Sequence, residues 1–379
     1  MSFLLEILLP LPGWDQSYRI ILEPGLRSRL GSLLTHLNKA KRLFLVSDRR
    51  VARLYGAQVA QTLKEAGLEP ALLTVPNGER AKNWPVVQRL ARELLEGGAH
   101  RDSLLLALGG GVVGDLTGFL ASIFMRGLPF IQVPTTLLAM VDAAIGGKTA
   151  INLPEGKNLL GTFHQPRLVA IDPEFLQTLP RAEFLSGLAE VVKAALIRDG
   201  ELLARLGVFF VKGPAGLLRN PEELLEVIYR AAAIKAEVVA QDEREGGLRR
   251  LLNFGHTLGH GLEQASSFRL AHGRAVAWGM LAALKLSERL AGLPAEEASR
   301  ARGLLQHLGL TRRPLPPLDP GAVLAALARD KKRLESGVPF VLLRRLGAAV
   351  VAEEVPMQVV TEVLDQILGR GEGLWDDAI

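Results

Sequence analysis

Short apolar runs bounded by turn residues alternate with helix-spaced segments from residue 18 to residue 171, and this alternation limits the fold more than any other feature. The expected strands are Tyr18–Leu22, Arg42–Ser47, Ala71–Val75, Ser103–Leu108, Phe130–Val133 and Leu168–Ile171, with helices such as Val51–Ala66 and Val86–Gly97 between them. Apolar strands separated by helices belong in a parallel sheet covered on both faces. After Pro173 the pattern turns Leu/Ala-rich and helical, over Ala182–Ile197, Pro221–Val239, Gly273–Ala291 and Glu296–Leu308. Loops are expected at Val211–Gly216 and Arg313–Pro320, and Gly371–Ile379 reads as a loose tail. A chain of 379 residues is too long for one core. The reading is an α/β, Rossmann-like domain over residues 1–172 and a mostly α-helical domain over residues 173–379.

The chain has no cysteine, which removes disulfides, thiolate metal sites, iron–sulfur ligation and a thiol nucleophile. Any metal must be held by His, Asp or Glu. The same composition suits a reducing, cytoplasmic setting. The opening segment is apolar but lacks a basic stretch and carries Glu6, so no signal peptide is expected. No apolar run approaches the ~20 residues of a membrane span. Net charge is +5, yet the basic residues are scattered and aromatics make up only 5%. A nucleic-acid footprint is a denser basic stripe interleaved with aromatics. Neither nucleic acid nor membrane is therefore an expected partner, whereas small phosphorylated molecules suit the charge.

The run from Leu104 to Asp115 reads as a strand, a glycine turn and the start of a helix. Gly109, Gly111 and Gly114 satisfy G-x-G-x-x-G, with Val112 and Val113 inside the motif and Asp115 after it. Glycine permits the positive φ of a tight turn and lets backbone N–H groups approach a pyrophosphate at a helix start. The motif sits late in the chain, and no acid ends the following strand, so it is a phosphate cradle of unusual placement. A turn required only for packing explains a lone glycine pattern equally well. Its neighbours favour a dinucleotide site. Asp48 ends a strand and is suited to a ribose hydroxyl. Asn77, Gly78 and Glu79 follow another strand with Lys82 close behind, and Thr135 and Thr136 follow a third. Ligands of open parallel sheets lie beyond such carboxyl ends.

The segment Asp142 to Asn158 presents Lys148, Asn152, Lys157 and Asn158 in glycine-rich, flexible surroundings suited to phosphate or carboxylate. It is not a P-loop, because residue 142 is Asp where that motif needs glycine. In the second half, three of the seven histidines, His256, His260 and His272, fall within 17 residues. His256 and His260 are spaced i, i+4, a spacing that can hold a metal, and His272 can close the site. Glycines at 255, 259 and 261 serve close approach by a neighbour or a ligand. Glu190 and Lys193 are the only charges between Leu185 and Leu196. A carboxylate there is an internal ion pair or a metal ligand.

Taken together, Gly187–Lys193, Asn253–His260 and His272–Ala277 resemble 3-dehydroquinate synthase. So do the glycine turn, Met125-Arg126-Gly127, Gln132–Thr136, Gly146–Thr149, Gly156–Asn158 and Gln165-Pro166, in order from about residue 40 to 345. The resemblance implies a nucleotide-binding α/β domain, a helical metal- and substrate-binding domain, an active site in the cleft between them, and a homodimer. It implies a lyase of the shikimate pathway, within aromatic amino acid biosynthesis. That enzyme cyclises a phosphorylated sugar acid, 3-deoxy-D-arabino-heptulosonate 7-phosphate, to 3-dehydroquinate and phosphate. By resemblance Glu190, His256 and His272 bind zinc or cobalt, and His260 is reassigned to catalysis near the substrate phosphate. Lys148, Lys193 and Asn158 map to substrate-gripping positions, Lys235, Arg249 and Asn253 to further polar contacts, and Arg126 to an arginine that reaches the partner's phosphate. One of Lys331 and Lys332 matches as well. The same resemblance implies NAD, expected at Asp48, Asn77, Gly78, Glu79, Lys82, Gly111 to Asp115, Thr135, Thr136, Lys148 and Lys157, and recycled, since the substrate would be oxidised before phosphate leaves and reduced afterwards. Asp142-Ala143-Ala144 departs from the family's usual Asp-Ser-Ser. The competing readings are another sugar-phosphate cyclase, a metal-dependent NAD polyol dehydrogenase, which needs no such cationic cluster, and a basic binding protein without metal.

Overall fold

The structure is a computed structural model that describes residues 4–11, 16–37, 42–208, 213–327 and 338–369. The chain forms two compact units, one of Met1–Leu179 with Lys235–Arg244 and the other of Pro180–Ile234 with Glu245–Ile379. The division follows Leu179. The helix Pro221–Gln241 begins in the second unit and ends in the first.

The first unit is built on a seven-stranded sheet. In chain order its strands are β1 (Leu5–Leu9), β2 (Tyr18–Leu22), β3 (Leu43–Asp48), β4 (Pro70–Val75), β5 (Leu104–Gly109) and β6 (Phe130–Pro134). A hairpin of β7 (Lys148–Leu153) and β8 (Gly156–Phe163) precedes the last sheet strand, β9 (Leu168–Ile171). The spatial order is β1-β2-β9-β6-β5-β3-β4, parallel throughout except for β1, which runs antiparallel to β2 at one edge. All six residues of β5 are buried, as an inner strand covered on both faces requires. Phe44, Val46, Leu105 and Ala107 from the sheet pack with Val113, Leu116 and Leu120 of the helix Gly111–Ile123. The pairings Asp48↔Val75, Ser47↔Leu108 and Gly109↔Pro134 bring the carboxyl ends of four strands to one edge.

The second unit is mainly helical, with Arg181–Arg198, His256–Ala265, His272–Leu290 and Ala295–His307 among its helices. It also holds an antiparallel hairpin of β10 (Val338–Arg345) and β11 (Ala348–Val355), whose turn at Gly347 takes φ +85° and donates its N–H to the Leu196 carbonyl at 2.8 Å. Among the described residues, no helix is long and apolar enough to cross a membrane.

Three expectations need correction. The segment carrying Lys148 and Lys157 is a paired hairpin, not a flexible loop: Thr149 Oγ1 meets Thr162 Oγ1 at 2.8 Å and Thr162 Oγ1 donates to Ser122 Oγ at 2.8 Å. The loop expected at Val211–Gly216 is a helix from Gly213 to Leu218, with Val211 outside the described residues. Lys235, assigned by sequence to the second domain, lies in the first unit. The tail Gly371–Ile379 and the pair Lys331 and Lys332 are outside the described residues.

Candidate functional site

From β3 the chain moves outward to β4 and then returns to β5 on the other side of β3. The crevice at such a reversal is where open parallel sheets bind ligands. Asp48 stands there, and its Oδ1 accepts from the backbone N–H of Arg50 at 2.9 Å and of Val51 at 3.0 Å, so it caps the helix that follows.

Beside it is the glycine turn. Gly110 sits at φ −75°, ψ −175°, and none of Gly109, Gly111 and Gly114 takes a positive φ. The expectation of a left-handed turn is therefore corrected. What glycine supplies here is clearance. A Cβ on Gly109 would stand 2.6 Å from the Val113 side chain, on Gly110 3.0 Å from Thr136, on Gly111 3.1 Å from Ala143, and on Gly114 2.6 Å from Gln132 of β6. The helix Gly111–Ile123 thus lies close on the sheet, and Gly110 gives it no side-chain cap. Its first N–H groups remain for an anion. Thr136 Oγ1 accepts from Ala139 N at 3.2 Å, whereas the buried Thr135 Oγ1 has no partner among the described residues. An uncapped helix start and an orphaned hydroxyl on one strand edge fit the phosphates and ribose of a dinucleotide.

A polar network gathers residues from three sequence segments. Buried Lys82 donates to Asp115 Oδ2 at 2.6 Å and to Asn158 Oδ1 at 2.5 Å. The Asn158 N–H donates to Asn152 Oδ1 at 2.9 Å, and Asn152 Nδ2 donates to Glu79 Oε2 at 2.8 Å. Burial pushes the Asp115 carboxyl up, against the opposing pull of Lys82. Asn77 Oδ1 accepts from Arg50 N at 3.3 Å, and Gly78 holds the turn after β4 at φ +75°. Lys148 opens β7, and Lys157 lies beside Asn158 in β8. Lys235 pairs with Asp142 at 2.5 Å, so it is not an isolated cation. Arg126 is exposed at φ +72°, after Met125 at φ +48°.

The second unit brings Glu190, His256 and His272 together from three helices, one ligand atom of each lying within 4.8 Å of the others. Residues Ser186 to Ile197 of the Glu190 helix are all buried, so the one carboxylate in that stretch must be neutralised locally. Glu190 Oε2 pairs with Lys193. Its Oε1 lies 3.2 Å from His272 Nε2 and 3.6 Å from His256 Nε2. The other ring nitrogens are also engaged, His256 Nδ1 at 3.2 Å from the Phe254 carbonyl and His272 Nδ1 at 3.6 Å from Glu263 Oε1. Both histidines therefore present Nε2 to one carboxylate oxygen. Burial, with Lys193 nearby, lowers His256 to about 3, so its imidazole is neutral. Burial also opposes the charge on His272, but the contacts to Glu190 and Glu263 prevail and raise it to about 10. Burial alone would raise Glu190, yet Lys193 and the two histidines hold it well below the usual carboxylate range. Two imidazoles and one carboxylate are a donor set that could hold a divalent ion.

His260 is not part of that convergence. It is exposed, with its ring centroid 5.3 Å from His256 and 6.5 Å from His272. Asn253 donates to Glu245 at 2.8 Å, and Arg249 is almost fully buried. The glycines flanking His256 and His260 serve a neighbour: a Cβ on Gly255 would meet Met280 Cγ at 2.5 Å, and one on Gly259 the Ala275 carbonyl at 3.2 Å. Sequence reasoning missed Glu263, although an acid two turns after His256 in the same apolar helix was its signal. Carboxylates behind a ligating histidine fix the ring and raise its basicity. Glu263→Gln is expected to weaken zinc binding about 10–100-fold while the fold persists, as measured by competition with a chromogenic chelator.

The chain resembles known proteins over nearly its whole length. Residues 72–186 match the family described as 3-dehydroquinate synthase N-terminal, and residues 187–333 its C-terminal counterpart. A 3-dehydroquinate synthase of Nostoc punctiforme is 44% identical, covering 96% of this chain and 99% of its own. A solved 2-deoxy-scyllo-inosose synthase, complexed with carbaglucose-6-phosphate, NAD+ and Co2+, superposes with a TM-score of 0.85 at 26% identity, covering 96% of this chain and 100% of its own. A 2-epi-5-epi-valiolone synthase from Streptomyces hygroscopicus with NAD+ and Zn2+ bound superposes at 0.83 with 33% identity, covering 96% and 99%. With contiguous family matches across both halves and this coverage of a curated relative, the chain belongs to the 3-dehydroquinate synthase family.

Proposed function

We propose that the chain converts 3-deoxy-D-arabino-heptulosonate 7-phosphate to 3-dehydroquinate and phosphate, the reaction its family performs in the shikimate pathway. The convergence of Glu190, His256 and His272 on one point carries the reading, because it supplies a metal ligand set where the family resemblance calls for one. Solved relatives hold NAD+ with Co2+ or Zn2+, and the same cofactors are assigned here. The turn Gly111 to Gly114, with Asp48 and Thr135, would hold the dinucleotide, and Glu190, His256 and His272 would hold the metal. When bound, the dinucleotide supplies reversible hydride transfer and the metal supplies Lewis acidity.

The chain's own residues do the rest. Lys148, Lys193, Asn158, Arg249 and Asn253 are assigned to hold the substrate's phosphate, hydroxyls and carboxylate. Lys82 stays in the Asp115–Asn158 network, where it fixes Asn158 and supports the dinucleotide side. His260, exposed beside the triad and bearing no ligand role, is assigned the proton transfer that accompanies loss of phosphate.

Arg126 is assigned to the phosphate in the partner subunit of a homodimer. Its exposed guanidinium on a left-handed backbone supports this, as do the exposed Ile123 and Phe163 flanking the Ser122–Thr162 hydrogen bond. Sedimentation at twice the 41.0 kDa chain mass is the expected result. The cytoplasm is the assigned compartment. To separate this reaction from that of another cyclase, turnover is compared for the heptulosonate phosphate and for sedoheptulose 7-phosphate, which lacks the carboxylate. Preference for the acid is expected, and equal or greater turnover of the neutral ketose phosphate would overturn the substrate assignment.

A further inference from the structure

An open cleft of about 420 Å³ lies beside the end of β3, lined by Arg49, Arg50, Arg53, Leu54, Asn77 and Thr178. It adjoins Asp48, since the N–H of Arg50 is shared between Asp48 Oδ1 and Asn77 Oδ1 at 2.9 and 3.3 Å. The cleft therefore sits at the sheet reversal, on the ribose side of the dinucleotide site. Its charge is one-sided. Three arginines line one space with no carboxylate in the lining, and among the described residues none of them is paired with an acid. Several arginines elsewhere are matched by acids. Arg27 reaches Asp172 and Glu174, Arg230 reaches Asp199, Glu201 and Glu226, and Arg250 reaches Glu353.

Unneutralised guanidiniums in a cleft suit a phosphate, which they hold by paired, charge-assisted hydrogen bonds. Rossmann-like sites distinguish their cofactors at this point: an acid at the strand end takes a free ribose 2′-hydroxyl, and a nearby arginine takes a 2′-phosphate. This chain has both. Asp48 retains an oxygen for the hydroxyl, since both of its backbone hydrogen bonds go to Oδ1. We infer that the arginine cleft is a subsite for a phosphate on the adenosine ribose, so that the chain binds NADP+ as well as NAD+. The inference rests on the first unit being the dinucleotide site.

The test titrates the full-length, zinc-loaded protein with NAD+ and with NADP+ by calorimetry, at low and at high salt. Both dinucleotides are expected to bind, with NADP+ affinity falling more steeply as salt rises. Arg50→Ala and Arg53→Ala are each expected to weaken NADP+ by about tenfold or more while NAD+ changes by less than about twofold, since only NADP+ carries the extra phosphate. If NAD+ binds and NADP+ does not, or if the variants weaken both alike, the subsite is refuted and the proposed function stands. If neither binds, the dinucleotide reading itself fails and the subsite fails with it.

Discussion

Replacing His272 with Ala is expected to abolish metal binding and turnover together, whereas replacing His260 with Ala leaves the metal in place and removes turnover alone. Glu190 Oε1 lies 3.2 Å from His272 Nε2 and 3.6 Å from His256 Nε2, and His260 has no place in that group. Loss of a ligand costs more than loss of a residue behind one, which already weakens binding about 10–100-fold. Loss of a proton-transfer group costs about 10²–10⁴ in rate. Metal content after dialysis, read beside turnover, separates the two. Equal metal loss in both variants would favour the i, i+4 pair that spacing alone suggests.

The second large effect comes from a residue that touches neither metal nor substrate. A Cβ on Gly273 would lie 2.2 Å from Ser186 Cα and 2.5 Å from the Ser186 carbonyl oxygen. Both are backbone atoms, so no rotamer change relieves the clash, and Gly273→Ala must push apart the helices carrying His272 and Glu190. Overpacking of this kind costs typically 1–3 kcal/mol, and contact with backbone puts the variant at about 3 kcal/mol. The melting temperature should fall by roughly 6–12 °C. Zinc affinity should fall with it, because Ser186 lies one turn before Glu190. Gly207→Ala is the control: it lies in the helix Gly200–Val208, has no atom within 4 Å of the added methyl, and should melt within a degree or two of the parent or above it. A Gly273→Ala protein with unchanged melting and zinc affinity would contradict the packing argument.

Six of the seven sheet strands were legible because they are apolar runs closed by turn residues; Tyr18–Leu22 and Leu168–Ile171 coincide with β2 and β9, whereas the edge strand β1 was not expected. The hairpin β7–β8 was not, since glycines and lysines hide its alternation. Gly161 illustrates why: its added Cβ would stand 2.7 Å from the Thr149 carbonyl, a cross-strand constraint that local pattern cannot express. The second hairpin, β10–β11, is a short apolar pair in a helical half, and run length alone does not separate strand from helix there. At the site, residue types and chain order pointed to Glu190, His256 and His272 through the family resemblance. Spacing by itself admitted His260 equally. Only the packing of three helices decides which nitrogens meet Glu190 Oε1. In the glycine turn, pattern alone left positive φ, phosphate approach and packing open, and the structure shows clearance against Val113, Thr136, Ala143 and Gln132 without any positive φ at Gly109, Gly111 or Gly114.

In the proposed reaction the dinucleotide is recycled within one sequence that expels phosphate. The direct measurement incubates the zinc-loaded protein with NAD+ and 3-deoxy-D-arabino-heptulosonate 7-phosphate, and follows inorganic phosphate together with NADH absorbance. Phosphate released in many-fold excess over enzyme, with no net NADH, is the predicted result. NADH accumulating in step with substrate consumption and without phosphate would mark a dehydrogenase and contradict the synthase assignment.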